Sequence, residues 1–265
     1  MKLVTIFSGK GGVGKTTMSI LLASWLKYEK KERVVAYDFE SPESRMMNKR
    51  NTDLSLLKMK DPVLTKLSDG NDFYPMGAIK GKAQGFTEGD LRKIADSIEK
   101  AKNSGDGYMI CDFPGRFEAK EAIYEITRRG LIDLIVFPVQ QEDQSIASML
   151  SVNKIIKEPG FIAHKQEQEV LCFWNMVTKN DIYKDSLKQQ YEQMFAMMGI
   201  PVSKTRVRYA DTVKRSASAP VFVTTTVCYP KQFMLRAFPP EQNCDYPYIE
   251  NLFMEIKDRL DKNGK

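Results

Sequence analysis

Among its 265 residues, this chain is constrained most by eight: Gly9-Lys10-Gly11-Gly12-Val13-Gly14-Lys15-Thr16. They satisfy the pattern G-x-x-x-x-G-K-[ST] and fall between two segments that suit it. Leu3 to Phe7 is a continuous apolar run that reads as a buried strand, and Met18 to Tyr28 has the spacing of a helix. Glycines let the backbone curl until several N–H groups point at one polyphosphate, and the following helix adds its positive end. Lys15 supplies a mobile cation for the β- and γ-phosphates, and Thr16 a hydroxyl for Mg²⁺. The loop from Gly9 to Thr17 therefore predicts a bound nucleoside triphosphate or diphosphate.

Beyond the loop, β-rich apolar runs alternate with amphipathic ones. This is the pattern of an α/β fold, a mostly parallel twisted sheet with helices on both faces. Further strands are expected at Val34 to Tyr37, Tyr108 to Cys111, Leu134 to Phe137 and Val170 to Trp174. Helices are expected at Glu88 to Lys102, Ala119 to Arg129, Gln144 to Ile156 and Tyr183 to Met198. A last helix, Tyr248 to Leu260, aligns Ile249, Leu252, Phe253, Ile256 and Leu260 on one side, which predicts packing on the core. Two stretches break the rhythm. Pro42 to Gln84 is polar and weakly periodic, which predicts irregular structure or short elements, and Ala219 to Tyr248 carries five prolines and reads as extended surface chain. The length suits one domain over residues 1–265.

Composition excludes several classes. Apolar residues make up 42% and charged residues 28%, as in ordinary soluble domains. The longest apolar run, Leu131 to Val139, is broken by Asp133 and Pro138 and is too short to span a bilayer. Lys2 leads straight into the first strand without the apolar stretch of a secretory signal, so a cytoplasmic protein is expected. Cys111, Cys172, Cys228 and Cys244 form no C-x-x-C pair, which predicts reduced structural thiols. The net charge of +6 is concentrated: between Pro201 and Pro240 there are seven basic residues and one acidic residue, Asp211. Such a surface either attracts a polyanion or merely keeps the chain soluble.

Lys10 sharpens the reading, because a second lysine in the same loop crowds Lys15 if both reach the same phosphates. The run K-G-G-x-G-K-T-T resembles the deviant Walker A family of ATPases, which includes ParA, MinD and the nitrogenase iron protein. In that family the first lysine reaches the nucleotide held by a partner subunit, so the resemblance implies a homodimer enclosing two nucleotides. Asp38-Phe39-Glu40-Ser41-Pro42 is similar to the family's D-x-D-P segment, with Glu40 for the second acid and Ser41 inserted before Pro42. The resemblance assigns Asp38 or Glu40 to the attacking water and Asp38 also to the metal, and the departure implies slow, partner-stimulated hydrolysis. Tyr108 to Gly115 looks like the Walker B strand and switch loop, with Asp112 toward Mg²⁺ and Gly115 toward the γ-phosphate. Leu131 to Ser145, with Phe137 to Glu142 within it, resembles the family's next strand and the helix that lies at the dimer face. Asn175 after its strand is similar to the residue set against adenine, and Gly199-Ile200-Pro201 with Thr205-Arg206-Val207-Arg208 resembles the loop that closes over the base, which implicates Pro201 and Arg206.

What such a switch would drive is less constrained. A ParA-like protein would dimerise with ATP, bind DNA without sequence preference and answer to a ParB-like activator in partitioning or conjugative transfer, associated with the nucleoid. Lys204, Arg208, Lys214, Arg215, Lys231 and Arg236, with Arg206, are the candidate DNA contacts. A MinD-like membrane switch would need a basic amphipathic terminal helix, whereas the last helix here carries Glu250, Glu255, Asp258 and Asp261. A metabolic ATP-dependent ligase on the same fold would need a small-molecule pocket that the sequence does not reveal.

Overall fold

The structure, a computed structural model, describes residues 1–39, 76–78, 87–113, 117–158, 169–178, 185–210, 235, 237–240 and 248–262. Glu40, Gly115, Lys214, Arg215, Lys231 and Arg236 lie outside the described residues, as do Cys228 and Cys244.

Among the described residues six strands form one all-parallel sheet: β1 (Lys2–Ile6), β2 (Val34–Asp38), β3 (Met76–Ala78), β4 (Tyr108–Asp112), β5 (Leu134–Val139) and β6 (Glu169–Trp174), in the order β3-β2-β4-β1-β5-β6. Such a sheet is covered on both faces, so its strands are apolar throughout rather than alternating. Leu3 and Val4 are both fully buried, yet they belong to different clusters on opposite faces. The Val4 face is covered by α1 (Lys15–Ser24) and the last helix, α6 (Ile249–Lys262). The Leu3 face is covered by α2 (Glu88–Lys102), α3 (Phe117–Arg128), α4 (Asp143–Ile156) and Phe195 of α5 (Asp185–Met197).

Local chemistry sets several boundaries. Helix α2 starts at a reciprocal cap, in which Thr87 Oγ1 accepts the Asp90 backbone N–H at 3.2 Å and Asp90 Oδ2 accepts the Thr87 N–H at 3.1 Å. Pro138 sits inside β5 without breaking the ladder. Val136 C=O accepts from Phe7 N–H on the β1 side, so the nitrogen of Pro138 faces that side, where β1 pairing has ended at Val136. The expected helix from Met18 to Tyr28 proves to be two pieces. After α1 the chain widens into a π-helical turn, Trp25–Glu29, closed by Lys30 N–H to Trp25 C=O at 3.1 Å. The fully buried Trp25 indole there donates to Glu250 at 3.1 Å. The expected irregular stretch from Pro42 to Gln84 contributes the short edge strand β3.

Helix α6 packs as its spacing predicts, with Ile249, Leu252, Phe253, Ile256 and Leu260 all fully buried. Each such side chain contributes about 1.5–3 kcal/mol. Its far end is tied to the sheet by polar contacts. Asp261 accepts Lys2 Nζ at 2.8 Å, Tyr108 OH at 2.6 Å and Lys257 Nζ at 2.7 Å. Burial opposes ionisation of Asp261, but the hydrogen bonds from Lys2, Lys257 and Tyr108 prevail and hold its carboxyl well below the usual range. Among the described residues no helix is long and apolar enough to cross a membrane.

Candidate functional site

Three strands end together. The glycine loop leaves the end of β1, and β4 and β2 bring Asp112 and Asp38 to the same edge. Ile6 pairs with Asp112, and Asp112 with Asp38. This carboxyl edge of the sheet, where β1 is flanked by strands reached in opposite directions, is where open α/β sheets bind ligands.

The loop has the backbone geometry that its sequence predicts. Gly12 and Gly14 sit at φ +78° and +83°, in the left-handed region. A Cβ at Gly14 would also crowd its neighbours, at 3.0 Å from Asn175 Nδ2 and 3.2 Å from Met176 Cε. Helix α1 begins at Lys15 with no acidic residue in its first turn and no side-chain cap, which leaves its positive end for an anion. Lys15 is largely buried and its Nζ donates to Lys10 C=O at 3.0 Å.

Lys10 lies within its own subunit's reach of α4. Its Nζ pairs with Glu142, the residue preceding α4, and donates to Gln140 Oε1 at 3.5 Å. Gln140 Nε2 in turn donates to Met176 Sδ at 2.8 Å, and Met176 holds φ +55°, an uncommon value for methionine. Asn175 is buried, and its Nδ2 donates to Val13 C=O at 2.7 Å. The side chain therefore braces the glycine loop with the same amide expected to meet adenine.

The two acids are fully enclosed, Asp38 at 0% and Asp112 at 1% exposure. Ser19, one turn after Lys15 on α1, approaches Asp112 Oδ1 at 3.5 Å through its hydroxyl. Two carboxylates on neighbouring strands beside a hydroxyl-bearing helix start make a donor set of hard oxygens, which suits Mg²⁺. Thr16 lies in the first turn of α1. Among the described residues no cluster of three His, Cys, Asp or Glu side chains is built to hold a metal by protein groups alone. Cys111, beside Asp112, is wholly buried, and burial raises its thiol pKa far above the ordinary value, so it is inert.

Beside the loop, a narrow cleft is lined by Gln141, Trp174, Asn175, Val177, Lys188 and Arg206. Asn175 and Arg206 both line this cleft. Pro201 does not join them. Residues 202–208 run beside β6, with Val202 opposite Cys172 and Arg208 opposite Val177, so that Pro201 C=O accepts from Cys172 N–H at 2.9 Å. Pro201 instead lines a separate shallow groove with Glu192, Ala196, Gly199, Ile200 and Val202. Along the same segment Ser203, Thr205 and Val207 are buried while Lys204, Arg206 and Arg208 are exposed, the alternation of a strand-like edge with three cations outward.

Sequence reasoning named neither Ser19, Met176 nor Lys188 for a role, and Gln140 only as part of the segment from Phe137 to Glu142. Ser19 was within reach of it, since position i+4 from Lys15 shares the helix face. The other three are brought in by contacts between segments distant in sequence.

The CobQ/CobB/MinD/ParA nucleotide binding domain model matches residues 4–219. A search of curated proteins finds no match. Among solved structures the chain is similar to a ParA family ATPase from Chlorobium tepidum, at 17% identity over 95% of this chain and 98% of that one, with a TM-score of 0.56. It is also similar to MinD in the Aquifex aeolicus MinC:MinD cell division complex, at 19% identity over 97% and 96%, with a TM-score of 0.57. A third is a Cyanothece McdA variant in complex with ATP, at 17% identity over 98% and 96%, with a TM-score of 0.55.

Proposed function

Because the chain belongs to the CobQ/CobB/MinD/ParA nucleotide-binding family, we propose that it is a Mg²⁺-dependent ATPase switch of the ParA-like kind, one domain that dimerises around two ATP molecules. The observation that carries this reading is the presence of two lysines in one glycine loop, Lys15 turned inward along the loop and Lys10 turned outward to Glu142 and Gln140. One loop has no local use for both. Lys15 and the N–H groups from Gly9 to Thr17 hold the phosphates, and Lys10 leaves Glu142 to meet the nucleotide of a second copy.

Thr16, Asp38 and Asp112 are the residues to hold Mg²⁺, which when bound neutralises phosphate charge and orients the γ-phosphoryl group. Asp38 or Glu40 orients the attacking water, and Gly115 belongs to the loop that distinguishes ATP from ADP. Asn175 and Arg206 flank the base. Pro201 is assigned to that site by resemblance alone.

The same reading gives the switch non-specific DNA as its track and a ParB-like activator as its release signal, in partitioning or conjugative transfer within the cytoplasm. The outward row Lys204, Arg206 and Arg208 supports a polyanion contact. Lys214, Arg215, Lys231 and Arg236 extend the same basic stretch of sequence. A lipid-binding alternative has less support, because the apolar face of α6 is spent on the core.

ATPase activity and sizing of wild type, Lys10→Ala and Lys15→Ala, with and without ATP, test the proposal. Lys15→Ala should lose nucleotide binding, and Lys10→Ala should bind ATP as a monomer without turnover. Unchanged dimerisation and hydrolysis in Lys10→Ala would remove the sandwich dimer. Filter binding of the ATP-loaded protein at low salt tests the DNA contact, and no retention there would remove it.

A further inference from the structure

Phenylalanine stands one step past the level at which the central strands end. Asp38 opposes Asp112, Asp112 opposes Ile6 and Ile6 opposes Val136. The residues that follow these four are Phe39, Phe113, Phe7 and Phe137. The ladder carries on into this second row, since Phe39 N–H donates to Asp112 C=O at 2.9 Å and Phe7 N–H to Val136 C=O at 2.9 Å. All four side chains are buried in the core cluster on the Leu3 face. Successive side chains of a strand point to opposite faces. The acids therefore lie toward α1, where Ser19 approaches Asp112, and the phenyl rings lie on the other face, directly behind them.

Within the row, Phe39 and Phe113 are stacked face to face, with ring centroids 4.6 Å apart and planes 3° from parallel. That separation is near the roughly 4.8 Å between neighbouring strands, so the rings stand in register with the backbones that carry them. Tyr37, two residues back on β2, stacks on Phe39 in turn at 6.2 Å. Filling the core does not demand this arrangement, because β-branched aliphatic side chains suit a strand buried on both faces. A face-to-face pair adds a fixed relation between two backbones, since a shift of one past the other separates the ring faces and loses their contact. Both rings also occupy the last position before a segment with an assigned part in hydrolysis: Phe39 precedes Glu40, and Phe113 precedes Pro114-Gly115.

We propose that Phe39 and Phe113 are paired positioning residues for hydrolysis, their stack fixing the start of the segment with Glu40 relative to the start of the segment with Gly115. This rests on the reading of Asp38 or Glu40 as the water-orienting acid and of Gly115 as part of the γ-phosphate loop. The pair touches neither nucleotide nor metal. It acts through Asp38 and Asp112, whose backbones it holds at one separation, so turnover depends on it and nucleotide affinity does not.

Single-turnover ATP hydrolysis by the full chain, with calorimetric titration of ATP and ADP in the presence of Mg²⁺, provides the test. Phe39→Leu and Phe113→Leu should each slow hydrolysis about 10- to 100-fold, the loss that a displaced reacting geometry produces, while both affinities change by less than about 3-fold. The double variant should fall within about 2-fold of the slower single one, because the second ring has nothing left to hold. Ile98→Ala, which opens the same core cluster beneath α2, should lower the melting temperature yet hydrolyse within about 2-fold of wild type. Where a leucine variant does not fold, Phe39→Met and Phe113→Met, which keep apolar bulk without a ring, carry the same expectation. Unchanged hydrolysis in the folded variants overturns the proposal, as do losses that multiply in the double variant. A loss of ATP affinity that matches the loss of rate also overturns it, as the mark of a side chain that only fills the core. Wild type that binds ATP without hydrolysing it removes the proposal together with the hydrolytic part of the reading beneath it. Wild type that binds neither nucleotide removes that reading as a whole, a result distinct from hydrolysis that ignores the two rings.

Discussion

Asp38 and Asp112 are direct partners across β2 and β4, two buried acids at the same level of adjacent strands. Side chains directly opposite in a sheet share a face, and like charges there repel. A divalent cation held by Asp38 and Asp112 would remove that repulsion. Asp112→Asn should therefore raise the melting temperature of the nucleotide-free protein, by roughly 2–4 °C for each kcal/mol gained, while weakening the Mg²⁺ dependence of ATP binding at least about 10-fold. Thermal melts with calorimetry decide it. Lower apo stability with an intact Mg²⁺ requirement would count against the pairing of these acids around a metal.

Asn175 makes a second prediction through its 2.7 Å bond to Val13 C=O. Asn175→Leu leaves that carbonyl without this donor inside a closed region, at a cost of about 1–3 kcal/mol. Because Val13 lies inside the glycine loop, inorganic triphosphate should weaken along with ATP. A variant that loses ATP but keeps inorganic triphosphate would restrict Asn175 to the base.

Glu142 holds Lys10 in place within one chain. Glu142→Gln removes the charge and should lower the ATP concentration needed for self-association, by roughly 2- to 5-fold for a partly exposed pair worth under about 1 kcal/mol. Sedimentation velocity across an ATP series reads this directly. A shift to higher ATP would assign Glu142 to the associated state instead.

The tie between α6 and the sheet is pH-sensitive. The hydrogen bonds that hold the Asp261 carboxyl low contribute stability above the ordinary carboxylate range, about pH 4, and that contribution is lost as pH falls through and below it. Burial and the Asp261 bond push Tyr108 up to about 12, so on the alkaline side stability is lost between about pH 10 and 12. Asp261→Asn should flatten both limbs of a melting-temperature profile. Since Asp261 is about a third exposed, the effect at neutral pH is modest. A variant whose acid limb matches wild type would remove Asp261 from the account.

Much of the site was legible because it is local. The loop from Gly9 to Thr17 needs only its own glycines and two flanking periodicities, and the start of α2 is written in Thr87 and Asp90. Asp38 and Asp112 could be placed because each ends an apolar run. Their direct opposition depends on the register of two strands some seventy residues apart, which no local pattern records. The same holds for Lys10 with Glu142, Gln140 with Met176, and Lys188 in the cleft. The π-helical turn after Ser24 keeps an apolar spacing close enough to that of an α-helix to pass as one. The short strand β3 sits in a polar stretch whose composition is that of a loop. Pro201 is a matter of register again: with residues 202–208 aligned beside β6, it lines a different groove from Arg206.

Strand β1 has the phosphate loop at one end and Lys2, bound to Asp261 of α6, at the other. Its five residues span only about 17 Å as a stiff ladder member. A molecule that grips the last helix at the opposite end of β1 therefore holds a short lever whose other arm is the glycine loop, without ever approaching the cleft.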